Sequence, residues 1–213
     1  MITARGLSRS FNGVPAVEDL SLDIATGSLF ALLGPNGAGK TTTVRLLMGL
    51  IGPSAGTATV AGYRVGGGAD SGRLLRRACG LLTEAPGFYE RMSAHDNLLF
   101  FGRLYGIPDR TLGHQLEHYL RLLELWDRRD DVVGTYSKGM KQRLAIIRAL
   151  FHDPKVVFLD EPTAGLDPEA AREVRELIAR LKTEGRTIVV CTHNLDDAER
   201  LADSLGILRR RLL

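Results

Sequence analysis

The sequence predicts an α/β fold with a mostly parallel core sheet, an N-terminal antiparallel β subdomain and an inserted α-helical lobe. Three observations support this prediction: the first 33 residues have strand patterns, a middle stretch has helical periodicity, and the last third alternates strand with helix. The chain has 213 residues, enough for one large domain and too few for two ordinary ones. We therefore expect a single domain 1–213, with a core of residues 1–84 and 153–213 and a helical lobe spanning roughly residues 85–152.

The N-terminal part has two strand signals of different kinds. Apolar and polar residues alternate between Leu20 and Ile24, which is the period of a strand with one buried face, and the dipeptide Asn12-Gly13 before it is typical of a tight hairpin turn. Residues 29–33 are apolar without interruption. Such a run is typical of a central parallel strand that is buried on both faces.

The middle of the chain changes to a helical pattern. Ser93 is a suitable N-cap for a helix, and the leucines that follow recur at helical spacing. These leucines are Leu112, Leu116, Leu120 and Leu123. The stretch from about residue 93 to residue 152 is therefore predicted to be a helical lobe inserted into the α/β chain.

The last third returns to alternation of strand and helix. Strands are predicted at residues 155–160, 187–192 and 205–208, and a helix is expected to begin at the Asp167-Pro168 cap. This order implies a parallel sheet with right-handed crossovers. A glycine-rich stretch at residues 66–72 is predicted to be a flexible surface loop.

Composition excludes several classes of protein. Hydrophobic residues make up 44% of the chain and charged residues 25%, which are globular averages and argue against a disordered or fibrous chain. No apolar run reaches the roughly 18 residues of a membrane span, and the N-terminus lacks the pattern of a secretory signal. A balance of 28 cations against 25 anions does not indicate nucleic-acid binding. Cys79 and Cys191 are read as small apolar residues in a reducing cytosol.

The strongest motif is a phosphate-binding loop. The stretch from Gly34 to Thr41 matches GxxxxGK[ST] and lies between a predicted buried strand and a predicted helix. Lys40 is expected to contact the β- and γ-phosphates, and the Thr41 hydroxyl is expected to bind Mg²⁺. This motif predicts a P-loop NTPase but leaves kinases, small GTPases and ATPases open. The nucleotide-binding residues predicted from this loop are Gly34, Pro35, Asn36, Gly37, Ala38, Gly39, Lys40, Thr41 and Thr42.

A second acidic site follows a buried strand. Four apolar residues, 156–159, lead directly into Asp160 and Glu161. A parallel strand that ends in carboxylates places them beside the phosphate loop of the same sheet. Asp160 is expected to hold Mg²⁺, and Glu161 is the candidate general base that deprotonates the attacking water. An acidic strand end that only caps the following turn is the alternative interpretation.

The order of motifs makes the chain resemble a known family. The octapeptide of residues 136–143, Tyr-Ser-Lys-Gly-Met-Lys-Gln-Arg, precedes Asp160-Glu161, and the whole chain resembles the ATP-binding subunit of ABC transporters. The resemblance implies an ATPase that uses ATP and Mg²⁺ and pairs head to tail with a second nucleotide-binding subunit, identical or different. It also implies separate integral membrane permease subunits as partners, with this chain on the cytoplasmic side of the cell membrane.

The resemblance further assigns roles to residues outside the phosphate-binding loop and the acidic strand end. The signature Ser137, Lys138, Gly139 and Met140 would contact the ATP that the partner subunit holds. Ser137 suits this role because it can cap a helix whose N-terminus attracts an anion. His193, after the strand 187–192, would contact the γ-phosphate and help position Glu161. Phe11 matches the aromatic position that stacks on adenine, although a core or surface aromatic is the alternative.

Three positions depart from the commonest family pattern. Glu84 stands where the family has a glutamine between the core and the helical lobe; it is counted with Thr41 and Asp160 as a metal ligand. Lys138 replaces the commonest glycine of the signature and Met140 replaces its glutamine. This variant resembles the branch that serves drug, polysaccharide and lipid exporters, so export is the expected direction of transport. The alternative is a soluble relative that acts on nucleic acid or the ribosome; nucleic acid is not an expected partner, because tandem cassettes, coiled-coil insertions and zinc ligands are absent from the sequence.

Overall fold

An antiparallel sheet forms the N-terminal part of the protein, as expected from the hairpin signal. The structure is a computed structural model that describes residues 1–85, 87–209 and, for the backbone, 211–212. Asn12 and Gly13 both have positive φ and turn the chain between the first two strands. In the described residues this sheet has the strand order β2-β1-β4-β5. Its strands are β1 (Ile2–Phe11), β2 (Val14–Ile24), β4 (Ala55–Val60) and β5 (Tyr63–Arg64).

The second sheet is mostly parallel and carries the site. Its order in the described residues is β10-β9-β3-β8-β7-β6, and the neighbours from β9 to β6 run parallel while β10 pairs antiparallel with β9. This confirms the predicted α/β fold. The strands are β3 (Leu29–Leu33), β6 (Cys79–Leu82), β7 (Val156–Asp160), β8 (Thr187–Thr192), β9 (Ser204–Arg209) and β10 (Arg211–Leu212).

The helices surround this sheet, and three of them form the predicted lobe. Helices α3, α4 and α5 lie between β6 and β7 in the chain, and Ser93 caps α3 by accepting a hydrogen bond from the Asp96 N–H at 3.0 Å. Asp167 caps α6 and Pro168 occupies its first position, both as predicted. The helices are α1 (Lys40–Leu47), α2 (Ala69–Arg77), α3 (Ala94–Leu104), α4 (Asp109–Leu122), α5 (Lys138–Leu150), α6 (Pro168–Thr183) and α7 (Leu195–Leu201).

The core lies on both faces of the parallel sheet. Along β7, Val157 and Leu159 pack with the helical lobe and α6, whereas Val156 and Phe158 pack with α1 and the antiparallel sheet. Side chains of a strand alternate between faces, so a strand that is buried on both faces needs an uninterrupted apolar run. Because β3, β8 and β7 are parallel neighbours, their carboxyl ends meet at one edge of the sheet. In the described residues no helix combines the length and apolar character needed to cross a bilayer.

The glycine-rich stretch at residues 66–72 is not entirely a loop. Helix α2 begins at Ala69, after Gly68, which has a φ of 94° and stands at the N-cap position without a side-chain cap. The prediction of a loop was wrong for the second half of the stretch. Leu75, further along α2, is fully buried and provides the apolar contact that helix formation needs.

Candidate active site

The loop after β3 curves tightly against two neighbouring backbone segments. Gly39, just before α1, has a φ of 104°, and a Cβ on it would lie 2.4 Å from the carbonyl oxygen of Ala16. A Cβ on Gly34 would lie 2.5 Å from the carbonyl oxygen of Leu208. Both positions therefore require glycine, and the conformation leaves loop N–H groups and the start of α1 at the strand edge, where an anion can bind.

Lys40 lies inside the curve of this loop. Its side chain is 6% exposed, and Nζ donates hydrogen bonds to the carbonyl oxygens of Gly34 at 2.6 Å and Pro35 at 3.3 Å. The same Nζ is 3.2 Å from Oε1 of Glu161. The phosphate loop and the acidic strand end are thus joined by a buried ion pair.

Three oxygen-bearing side chains lie beside Lys40. The Thr41 hydroxyl donates a hydrogen bond of 2.7 Å to Oδ2 of Asp160, which is 4% exposed. Burial raises the pKa of Asp160; the Thr41 hydrogen bond opposes this shift and the charges of Glu161 and Glu84 reinforce it. Glu84 is exposed and faces the same cavity. The three predicted metal ligands are therefore close together and offer only oxygen donors.

Glu161 and His193 come together because β7 and β8 are parallel neighbours. Oε2 of Glu161 accepts a hydrogen bond of 2.9 Å from Nδ1 of His193, and the Glu161 N–H donates to the Cys191 carbonyl at 2.8 Å. Oε1 is buried without a hydrogen-bond partner in the described structure, so the ion pair with Lys40 is its contact there. Glu161 has a φ of +51°, a left-handed conformation that is uncommon outside glycine and is often found at functional sites.

One cavity joins these groups. It contains residues of the phosphate loop, the two acidic residues of β7 and its following turn, and the histidine after β8. Its lining residues are Ala16, Pro35, Asn36, Gly37, Gly39, Lys40, Thr41, Thr42, Glu84, Asp160, Glu161, Ala164 and His193. Gly34 and Ala38 belong to the loop but do not line the cavity. Phe11 also lies outside the lining; it is 44% exposed, and the Arg9 guanidinium stacks over its ring at 4.7 Å.

The signature residues lie on a different surface. Ser137 caps α5 by accepting a hydrogen bond of 3.2 Å from the Met140 N–H, and both Ser137 and Lys138 are exposed. With Gly139 they line a second depression whose other wall includes Gly165 and Asp167, and no signature residue lines the Lys40 cavity. Met140 is partly buried against the core.

The structure also shows contacts that the sequence reasoning missed. Gln142, one turn into α5, donates a hydrogen bond of 2.6 Å to the Pro162 carbonyl next to Glu161. Thr163 contacts Asp197 on α7, and Asp197 also pairs with Arg175 on α6. Gln142 belongs to the signature octapeptide and could have been singled out there, whereas nothing in the spacing of the other three signals their contact.

Comparison with known proteins identifies the family. A family model described as ABC transporter matches residues 17–164. The chain is 40% identical over 207 residues to the Nod factor export ATP-binding protein I of Rhizobium sp. (strain N33), covering 97% of this chain and 67% of that one. It is 39% identical over 209 residues to the ABC transporter ATP-binding protein NatA of Bacillus subtilis (strain 168), covering 96% of this chain and 84% of that one.

Two solved structures of ABC transporter proteins are similar to the structure of this chain. An ATP-binding subunit of an ABC transporter aligns over 100% of this chain and 88% of its own, with a TM-score of 0.87 and 32% identity. The cbiO1 protein of Clostridium perfringens aligns over 100% of this chain and 86% of its own, with a TM-score of 0.90 and 26% identity. The predicted fold and the resemblance drawn from the motifs are both confirmed. The chain belongs to the ABC transporter family, as one of its ATP-binding ATPases.

Proposed function

We propose that this chain hydrolyses ATP as one of a pair of ABC subunits and drives an export permease built from separate membrane-spanning subunits. The observation that supports it most is the division of the site: Lys40, Asp160, Glu161 and His193 share one cavity, whereas the signature residues line another surface. A triphosphate in the cavity would be enclosed only when the signature of a second subunit covers it.

Within the cavity, the chain supplies both binding and general-base chemistry. The loop N–H groups and the Lys40 ammonium would bind the phosphates. Glu161 would take the proton of the attacking water, because it is the carboxylate at the cavity whose position is held by both Lys40 and His193. His193 would keep the Glu161 carboxylate oriented through its Nδ1–H.

The oxygen donors at Thr41, Asp160 and Glu84 suit Mg²⁺. This ion prefers oxygen ligands and is usually held by one or two carboxylates together with water and substrate phosphates. When bound, Mg²⁺ would neutralise charge on the β- and γ-phosphates.

The signature helix supplies the other half of the proposed site. Ser137 and Lys138 are exposed at the N-terminus of α5, where the helix dipole and free N–H groups favour an anion. The proposed anion is the γ-phosphate in the partner subunit's cavity. Head-to-tail pairing would place each signature against the other subunit's nucleotide, so a dimer would hold two complete sites.

Relatives support the membrane partner and the direction of transport. Similar proteins are named for Nod factor export, and a linearmycin resistance ATP-binding protein of Bacillus subtilis (strain 168) is 32% identical over 208 residues. The cbiO1 protein is described as part of an ABC transporter complex. By the same inference this chain would bind permease subunits at the cytoplasmic face of the membrane.

The two-chain site is tested by the dependence of ATP hydrolysis on protein concentration. Phosphate release by the purified protein is measured over a dilution series with Mg-ATP, while light scattering reports the mass of the particle. We expect activity per chain to rise as dimers form, and the Lys40→Ala variant gives the background rate. Full activity per chain at concentrations where only monomer is present would contradict the proposal.

A further inference from the structure

A buried carboxylate on α7 holds the loop that follows Glu161. Asp197 is 1% exposed; its Oδ2 accepts a hydrogen bond of 2.5 Å from the Thr163 hydroxyl, and its Oδ1 lies 2.9 Å from Nη1 of Arg175. The three residues come from the loop after β7, from α7 and from α6. A buried charge is stable only when it is paired and hydrogen-bonded, and Asp197 has both kinds of partner.

The two residues of the Thr163–Asp197 contact lie close in sequence to the two members of the catalytic contact, one to each. Thr163 is two residues after Glu161, and Asp197 is four residues after His193, on the helix that Asn194 caps. The segments that carry Glu161 and His193 are thus joined twice: by the 2.9 Å contact between these two residues, and again by the contact between Thr163 and Asp197 a few residues further along each segment. A change in the second contact would move the two strand ends relative to each other.

The backbone conformation of Glu161 suggests what the contact between Thr163 and Asp197 does. A non-glycine residue at a φ of +51° persists only when its surroundings determine its conformation. On the N-terminal side the Glu161 N–H is held by the Cys191 carbonyl. On the C-terminal side, Thr163 is the next loop residue whose side chain makes a hydrogen bond, and its hydroxyl donates to Asp197.

We propose that Asp197, together with Thr163 and Arg175, forms a positioning group that sets the contact between Glu161 and His193 for hydrolysis. This inference rests on the proposed function. Asp197 does not line the cavity around Lys40, so it acts through Glu161 and not on the nucleotide. Its loss should therefore lower kcat while the affinity for ATP is kept.

The first experiment changes only the hydroxyl of Thr163. Thr163→Val keeps the shape of the side chain and removes the donor to Asp197, while Thr163→Ser keeps the donor. Thr163→Val should lower kcat about tenfold, the upper range for one hydrogen bond, with KM for ATP changed by less than about twofold. Thr163→Ser should restore most of the wild-type kcat.

Two neighbouring aspartates supply the matched control. Asp197→Asn removes the buried charge, whereas Asp196→Asn changes the preceding residue, whose carboxylate is exposed and pairs with Arg200 on the same helix. Asp197→Asn should lower kcat as Thr163→Val does, and Asp196→Asn should leave it unchanged. Circular dichroism and the melting temperature establish that each variant is folded at the assay temperature.

A double-variant experiment separates positioning from general structural damage. If Asp197 acts through Glu161, adding Thr163→Val to Glu161→Gln should not lower the residual hydrolysis further, and ATP binding should be kept. Wild-type kcat in Thr163→Val, or an equal loss in Thr163→Ser and Thr163→Val, would overturn the positioning role alone. No phosphate release from the wild-type protein under any condition would overturn the proposed function and the positioning role with it.

Discussion

The Lys40 cavity and the signature helix differ in where their charged groups find partners. In the cavity, Lys40 is buried and pairs with Glu161, and Glu161 in turn contacts His193. At the start of α5, Ser137 and Lys138 are exposed, and in the described part of the chain the Lys138 ammonium has no ion pair. The charged groups of the cavity pair with one another within a single chain. The start of α5, by contrast, offers a cation and a helix N-terminus to another molecule.

The difference explains why chemistry and control can be separated in such a protein. Buried, mutually paired groups are preorganised, so they can carry out proton transfer without rearranging. An exposed helix start contributes nothing to the reaction until an anion arrives. We therefore expect substitutions in the cavity to change the chemical step and substitutions at the signature to change its dependence on the partner.

The largest expected effect is that of Glu161→Gln. Loss of the proposed general base should lower hydrolysis by a factor on the order of 10²–10⁴, the usual contribution of such a group. ATP affinity should be kept, since the loop N–H groups and the Lys40 ammonium, which are proposed to bind the phosphates, are unchanged. Phosphate release gives the rate and calorimetry gives the affinity. With saturating Mg-ATP, light scattering should show a stable dimer.

Glu84→Gln is the control for charge in the same cavity. It removes one negative charge and places the amide that is commonest in the family. Hydrolysis by this variant should stay within about tenfold of the wild-type rate, because Glu84 is exposed and the glutamine amide keeps an oxygen donor at this position. Hydrolysis by Glu161→Gln at a similar rate would contradict the assignment of the base.

The second prediction compares two serine caps. Ser93 caps α3 and Ser137 caps α5 through the same kind of hydrogen bond, at 3.0 and 3.2 Å. Replacing either serine by alanine should cost about 1 kcal/mol of the free energy of unfolding. Only Ser137→Ala should also slow hydrolysis, by about 10- to 100-fold, because a hydrogen bond to a charged group is lost.

Thermal melting and phosphate release, measured on both variants, check this prediction. Ser93→Ala shows how much activity is lost through stability alone. If both variants lost activity equally, Ser137 would be a structural cap and the signature would have no separate role in this chain.

The sequence predicted the parts of the protein whose signals are continuous along the chain. Residues 29–33 and 156–159 are short apolar runs, and both are strands buried on each face. The phosphate loop is one continuous motif, so its position could be recognised directly. Glu161 and His193 were expected at one sheet edge, and the parallel pairing of β7 with β8 brings them within hydrogen-bond distance.

What the sequence could not predict depends on contacts between distant residues. Asp197 contacts Thr163 and Arg175, which are 34 and 22 residues away, and a lone aspartate on a short helix has no pattern that indicates burial. The positive φ of Glu161 is equally hidden, because no glycine marks it. Strands β4, β5 and β6 were not predicted: β5 and β6 have only two and four residues, and the first three residues of β4 are exposed, so β4 has no continuous apolar run.

The smallest expected effect concerns the stability of the cavity side. Burial raises the pKa of Asp160, so its charged form is disfavoured in the folded state, and its contribution to stability falls as the pH rises above the ordinary range of a carboxyl group. In buffer without nucleotide or metal, Asp160→Asn should therefore raise the melting temperature at pH 7. The gain should shrink as the pH is lowered.

Asp203 gives the control of opposite sign for this measurement. The Leu29 N–H and the Lys182 ammonium lower the pKa of Asp203, so its charged form stabilises the fold at neutral pH and that stability is lost as the pH falls. Asp203→Asn should therefore lower the melting temperature at pH 7, where Asp160→Asn raises it. A lower melting temperature for both variants would mean that Asp160 stabilises the empty cavity through Thr41 and Lys40. The charged groups of the cavity would then stabilise the fold as well as bind a ligand. The cavity would differ from the exposed signature in its contribution to stability as well as in its pairing.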